Sequence, residues 1–186
     1  VAGSESYLLF NFNRMRIYLI GFMGSGKTTI GKPLAAKLGY QFVDQDEVIE
    51  KRFGMTITEV FAKYGEPKFR ETEREVLAEL SQTDKAVIAT GGGCPCFFDN
   101  METMNRHGLT IYLKGDPKTL VHRLKDSHGT RPLIKGKTED ELLQYVMDKL
   151  QERDPYYSKA KCTVEARNLK VDDILQLLEM GGYNHI

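Results

Sequence analysis

The sequence predicts a single α/β domain built on a mainly parallel sheet, and three observations carry that expectation. Five short apolar runs rich in β-branched residues recur along the chain with little polar alternation, as parallel strands covered on both faces require. Between them lie longer amphipathic segments that open on helix-start signals. At 186 residues the chain has the length of one domain, since domains average roughly 150 residues.

Residues 1–14 show neither a helical nor a strand period, and Met15 directly precedes an apolar run. They read as an N-terminal extension or cloning remnant ahead of a domain spanning 15–186. Residues 16–20 form the first strand and lead into Gly21-Phe22-Met23-Gly24-Ser25-Gly26-Lys27-Thr28, then Thr29-Ile30 and a helical pattern to Leu38. This is G-x-x-x-x-G-K-[ST] between a strand and a helix. Its glycines let backbone N–H groups curl around phosphate oxygens, and the helix N-terminus adds its positive dipole end. Lys27 is placed to reach the β- and γ-phosphates of a nucleoside triphosphate, and Thr28 to offer its hydroxyl to Mg²⁺. Pro33 falls inside this helix, where it should bend the axis or remove a hydrogen bond.

The second strand, 41–43, ends in Phe42-Val43-Asp44-Gln45-Asp46. Carboxylates at i and i+2 on an extended chain point the same way. Phosphoryl transfer needs help for a metal that bridges the phosphates and a group that receives or orients the attacking hydroxyl. Asp44 is expected at the Mg²⁺, through water, and Asp46 at the hydroxyl; the alternative is a capping acid plus an exposed loop acid before a helix at 47–53. Thr56 and Glu59 form a capping box for the helix that follows. Farther on, Glu73 lies one helical turn after Arg70 and is placed to hold its guanidinium for bidentate recognition of a carboxylate, unless the two make only a surface ion pair.

The third strand, 86–89, runs into Thr90-Gly91-Gly92-Gly93. Three glycines at the C-terminal end of a parallel strand permit close backbone approach to a ligand, or else make a tight turn. Cys94, Cys96 and Cys162 lack metal spacing and are too few for a disulfide framework, so they read as packing residues. After the fourth strand, 109–113, Asp116-Pro117 supplies a cap and a first-turn proline. Residues 123–137 then hold Arg123, Lys125, Arg131, Lys135 and Lys137 against Asp126, a local charge of +4, with Gly129 and Gly136 inside. A glycine-hinged basic flap of this kind suits a lid over phosphates, with Arg131 the candidate for transition-state charge; the alternative is a solvated loop. Thr138 and Glu141 box the next helix. Arg153 at its end is a second anion clamp or a C-terminal cation. The fifth strand, 162–165, and a helix at 171–180 stopped by Gly181-Gly182 complete the chain. His107, His122, His128 and His185 are scattered, with no sign of a histidine base.

Lys and Arg total 26 and so do Asp and Glu, and this neutrality argues against a protein held on nucleic acid or an acidic membrane by bulk charge. No apolar run approaches the ~20 residues of a membrane span, so a cytoplasmic protein is expected.

In order, G-x-x-G-S-G-K-T, F-V-D-x-D, F-R-x-x-E, T-G-G-G, R-P-L at 131–133 and R-x-P-x-Y at 153–157 resemble the shikimate kinases, small P-loop kinases of the nucleoside-monophosphate-kinase-like group. The resemblance runs from about Arg16 to the last helix. It implies a three-layer P-loop NTPase fold with a five-stranded parallel sheet, flanking helices and a mobile lid at about 123–138. It also implies transfer of the ATP γ-phosphate, with Mg²⁺, to the 3-hydroxyl of shikimate, a step toward chorismate and aromatic amino acids. By the same resemblance Lys27, Asp46 and Arg131 are catalytic, and Gly24, Ser25, Gly26, Lys27, Thr28 and Thr29 hold the ATP phosphates. Thr28 and Asp44 serve the metal. Asp46, Arg70, Gly92, Gly93 and Arg153 surround shikimate. Arg123 or Lys125 stacks on adenine, near Arg167 and Asn168. The expected partners are shikimate and ATP, with no nucleic acid or membrane, and the chain acting as a monomer. A gluconate kinase, the competing reading, would have no particular need of Arg70 and Arg153 together.

Overall fold

Each strand has to satisfy two apolar layers, and the chain supplies both. The computed structural model describes residues 15–126 and 136–180. In chain order its elements are β1 (Arg16–Ile20), α1 (Lys27–Leu38), β2 (Gln41–Asp44), α2 (Gln45–Phe53), α3 (Ile57–Leu80), β3 (Ala86–Ala89), a 3₁₀ turn (Cys94–Cys96), α4 (Asn100–His107), β4 (Leu109–Lys114), α5 (Pro117–Asp126), α6 (Glu139–Tyr157), β5 (Cys162–Glu165) and α7 (Val171–Glu179). The strands form one parallel sheet in the order β2-β3-β1-β4-β5, with Leu19 opposite both Ala89 and Ile111.

Successive side chains of a strand point to opposite faces. Ile17 and Leu19 therefore meet Ile30 and Leu34 of α1 and Ile174 and Leu178 of α7 on one side. Tyr18 and Ile20 meet Leu77 of α3, Met101 and Met104 of α4 and Tyr157 of α6 on the other. The three-layer α/β architecture expected from the sequence is the one observed. Beside these layers, α2 packs on α3 through Ile49, Val60, Phe69 and Val76, and α5 packs on α6 through Leu120, Leu124, Leu142 and Val146 around Phe22. Tyr18 is fully buried, and its hydroxyl is satisfied by Ser81 Oγ at 2.9 Å.

Several boundaries differ from the sequence reading. β2 and β4 each extend one residue, to Asp44 and Lys114. The helix expected at 47–53 starts at Gln45 because Asp44 caps it, its Oδ1 accepting the Asp46 N–H at 3.1 Å. The chain is thus extended only to Asp44, and Asp46 sits in a helical first turn. α3 is broken at Gly65 (φ 78°), and Pro67 opens its second half. Pro33 does not stop α1, since Pro33 and Thr29, whose carbonyl loses a donor, both lie on the exposed face where water can serve. The same holds for Pro155 and Gln151, so α6 continues to Tyr157 and Arg153 lies inside it rather than at its end. Both capping boxes, Thr56/Glu59 and Thr138/Glu141, form.

Arg123 and Lys125 belong to α5 and not to a flap. Residues 1–14, Arg131, Lys135, Gly129, His128, Gly181, Gly182 and His185 lie outside the described residues, and with them most of the expected lid. Among the described residues no helix is long and apolar enough to cross a membrane.

Gly108 joins α4 to β4 where the backbone passes against β1. A Cβ there would fall on the Arg16 carbonyl oxygen and lie 2.8 Å from the Tyr18 ring. Gly108→Ala should therefore lower stability by about 1–3 kcal/mol through overpacking, read as a reduced urea midpoint; an unchanged midpoint would show that β4 can shift freely.

Candidate active site

β1 is flanked by β3 on one side and β4 on the other, and this reversal of strand order opens a crevice at the C-terminal ends of the strands. The loop after β1 fills one wall. Gly21, Gly24 and Gly26 hold φ of 143°, 80° and 95°, the left-handed region that glycine enters without penalty. Gly26 caps α1 without a side chain, which leaves the first-turn N–H groups to an anion. Lys27 Nζ donates to the carbonyls of Gly21 (2.8 Å) and Phe22 (3.1 Å). Ser25 is buried beneath the loop, and Thr29 is exposed on the first turn of α1.

Arg123 reaches this loop from α5. Its Nη1 donates to the carbonyls of Gly24 (3.2 Å) and Ser25 (3.4 Å), and its Nη2 to that of Ala166 (3.1 Å). It thereby ties the loop to the turn that carries Arg167 and Asn168. Lys125 instead pairs with Glu139 on the surface at 2.5 Å, so Arg123 is the one of the two at the site.

Thr28 Oγ1 donates to Asp44 Oδ2 at 3.1 Å while the other Asp44 oxygen caps α2. Asp44 is therefore the capping acid of α2 and at the same time faces the Thr28 hydroxyl beside the phosphate loop. A hydroxyl and a carboxylate are hard oxygen donors, the set Mg²⁺ accepts when phosphates and water complete its sphere. Among the described residues no cluster of three or more His, Cys, Asp or Glu offers a site made by protein alone.

The opposite wall is built on residues 91–93. None of these glycines has a left-handed φ, so what glycine supplies there is space, most of all at Gly91 and Gly93. A Cβ on Gly91 would lie 2.7 Å from Glu73 Oε1 and 3.0 Å from Asp46 Oδ1. One on Gly92 would lie 3.4 Å from Arg153 Nη1 and 3.5 Å from both Gly21 O and Met23 N. One on Gly93 would lie 2.9 Å from both terminal nitrogens of Arg70. Asp46 from α2, Arg70 from α3 and Arg153 from α6 thus meet on one strip of backbone beside the phosphate loop.

Arg70 is more than a surface pair. Its side chain is 12% exposed and stacks 4.0 Å from the Phe97 ring centroid, with Nη1 on Glu73 Oε2 at 2.9 Å and Nη2 on Glu66 Oε1 at 3.0 Å. Arg153 lies 5.2 Å from the Phe22 ring centroid, and its buried Nη1 has no hydrogen-bond partner among the described residues. Four supporting residues were not singled out from the sequence. Gln45, fully buried, donates to the Glu73 carbonyl (2.9 Å) and accepts from the Gly91 N–H (3.2 Å). Tyr157 donates to the Gly92 carbonyl at 2.5 Å. Phe22 and Phe97 supply the ring faces. Gln45 between two aspartates and Tyr157 at the end of R-x-P-x-Y were the available signals. Cys94 is buried in the wall, its thiol pushed up by burial, in keeping with a packing role.

The arrangement joins a cradle for a nucleotide's phosphates to a carboxylate and two guanidinium groups suited to a small anion bearing hydroxyls. The family model described as "Shikimate kinase" matches residues 23–180. A shikimate kinase of Bacteroides fragilis is 49% identical over 146 residues, 78% of this chain and 82% of that protein. The crystal structure of shikimate kinase from Bacteroides thetaiotaomicron has a TM-score of 0.86 at 43% identity, over 89% of this chain and 98% of that one. Shikimate kinase from Acinetobacter baumannii in complex with shikimate has a TM-score of 0.81 at 36% identity, over 94% and 98%.

Burial raises the Glu73 carboxyl from 4.5 to about 7; Arg70 opposes the shift and Asp46 adds to it. Stability from this group is full below the unfolded value near 4.5 and is lost as pH rises through 7, where the fold must hold a buried anion. Relative to the wild type, Glu73→Gln should gain on the order of 2–3 kcal/mol between about pH 5 and pH 7.5. Parallel stability curves from urea denaturation across that range would contradict the shift.

Proposed function

The chain belongs to the shikimate kinase family, and on that footing we propose that it transfers the γ-phosphate of ATP to the 3-hydroxyl of shikimate, in one domain spanning 15–186 with a lid in the part of 123–138 that follows α5. The observation that carries this reading is the position of Gly92. One Cβ there would touch both the Arg153 guanidinium and the phosphate-loop backbone, so the anion clamp and the phosphate cradle share a wall.

Arg70 and Arg153 present planar forks to the shikimate carboxylate, with Gly92 and Gly93 allowing its approach to backbone. Asp46 then faces the ring hydroxyls, orients the 3-hydroxyl and receives its proton as the new P–O bond forms. Its first-turn position, with the backbone N–H held by Asp44, fixes the point from which the side chain leaves α2. Lys27 moves its ammonium from the loop carbonyls to the β- and γ-phosphates, while Gly24, Ser25, Gly26, Thr28 and Thr29 surround them. Thr28 and Asp44 would hold Mg²⁺, which when bound would neutralise charge on the phosphates. Arg123, with Arg167 nearby, serves the adenine side, and Arg131 the transferring phosphoryl group. The proposed working state is a cytoplasmic monomer acting on small molecules and not on nucleic acid or membrane. Its three thiols are free, as in a reducing compartment.

The direct test is a coupled assay with Mg²⁺ and ATP. ADP release that depends on shikimate is expected, and its absence would overturn the reading. Asp46→Asn should lower kcat about 10²–10⁴-fold while ATP affinity stays within about twofold; near-normal turnover would remove its role. Arg70→Ala and Arg153→Ala should each raise the shikimate KM about 10–100-fold, the worth of one charge-assisted bond. Thr28→Val should raise the Mg²⁺ concentration at half-maximal rate and leave the shikimate KM unchanged. Steady-state titration of each substrate and of the metal separates these outcomes.

A further inference from the structure

The acceptor site contains a buried carboxylate to which the transfer itself assigns no task. Glu73 is fully buried, with Oε2 on Arg70 at 2.9 Å, and its Oε1 is buried with no hydrogen-bond partner among the described residues. That oxygen and Asp46 Oδ1 both border the space that one methyl group on Gly91 would fill. The charged and titratable groups around Glu73 are Arg70 on α3, Asp46 from α2, Arg153 from α6, and Cys94 and Cys96 from the 3₁₀ turn. Arg70 is paired with it at 2.9 Å, and Glu66 shares Arg70 from the solvent side at 3.0 Å.

One cation therefore already serves two carboxylates, with Asp46 close by as a third. An incoming substrate carboxylate adds another anion to the same guanidinium. Resting on the kinase reading above, we propose that docking of the shikimate carboxylate on Arg70 draws one proton from the buffer onto Oε1 of Glu73. No other bond is made or broken. The neutral carboxyl leaves the Arg70 charge to the substrate, and its O–H donates toward Asp46, which keeps that carboxylate aimed at the ring hydroxyls. Glu73 is in this sense a positioning residue. Its ordinary carboxyl value is already raised to about 7 by burial, so a modest added negative potential suffices for proton uptake near neutrality.

Linkage makes the consequence measurable. Calorimetric titration of the full chain with shikimate at about pH 7.5, in buffers of different ionisation enthalpy, should show uptake of about 0.5–0.8 proton per shikimate bound. The Kd should rise about five- to tenfold between about pH 7 and pH 8.5. Glu73→Gln should bind shikimate with no uptake and a Kd that is flat over the same interval. Binding without uptake in the wild type overturns the linkage and leaves the kinase reading standing, and needs no variant. Unchanged uptake in Glu73→Gln assigns the proton elsewhere and overturns the role of Glu73. Failure of shikimate to bind the wild type at all overturns both.

Discussion

The floor of the acceptor site is bare backbone, and the charged side chains are packed against it. A Cβ would crowd Glu73 and Asp46 at Gly91 and Arg70 at Gly93, and at Gly92 it would make ordinary contact with Arg153. The ends of four side chains from three helices, Asp46, Arg70, Glu73 and Arg153, lie against the places that Cβ atoms on residues 91–93 would take. Those glycines follow β3 after Thr90, in the turn that leads into the 3₁₀ turn. Tyr157 and Gln45 fasten it further by bonding the Gly92 carbonyl and the Gly91 N–H. The helices supply charge and the strand supplies position, so a displacement of α2, α3 or α6 is resisted by contact with backbone and not only by its own packing.

Two cations are held in that space by different physics. Arg70 is fixed by carboxylates at two distances near 3 Å and by the face of Phe97. Arg153 rests on the face of Phe22 and keeps a buried nitrogen without a partner among the described residues. A ring face holds a guanidinium through its centre and leaves the edge donors free, whereas a carboxylate occupies them. One arginine is thus precisely oriented with part of its charge already matched, and the other retains bonding capacity for an anion. A chain with zero net charge can bind a small anion in this way because the local arrangement, and not the total, sets the potential.

Much of this was legible in the sequence. β1 and β3 end where their apolar runs end, because both faces of these central strands are buried; β5 keeps its expected bounds at the sheet edge, although it is only half-buried and ends on the exposed Glu165. The phosphate loop was legible because its function is carried by backbone, which demands glycine at fixed spacing. The pairing of Arg70 with Glu73 followed from helical periodicity. The course of the chain at Asp46 did not, since the choice between continuing β2 and starting α2 is made by a side-chain bond from Asp44 to a backbone N–H. The depth of Arg153 was hidden for a related reason. Pro155 reads as a stop, yet its cost vanishes when the orphaned carbonyl faces water, and exposure is a tertiary property. Gln45 and Tyr157 act across 46 and 65 residues of sequence, beyond the reach of any local pattern.

The phosphate loop carries a last implication, which concerns entropy. Its carbonyls at Gly21, Phe22, Gly24 and Ser25 all accept bonds from within the protein: Lys27 serves the first two, Ser25 N–H also bonds Phe22, and Arg123 serves the last two. The curvature of the loop is therefore held by bonds from the protein itself, and the freedom of its backbone is surrendered when the chain folds. Nucleotide binding exchanges one set of partners for another and does not have to order a disordered segment. For a chain of glycines, the residues with most conformational freedom to lose, that timing decides whether the loop is a burden on affinity or a burden on folding. In this protein it falls on folding.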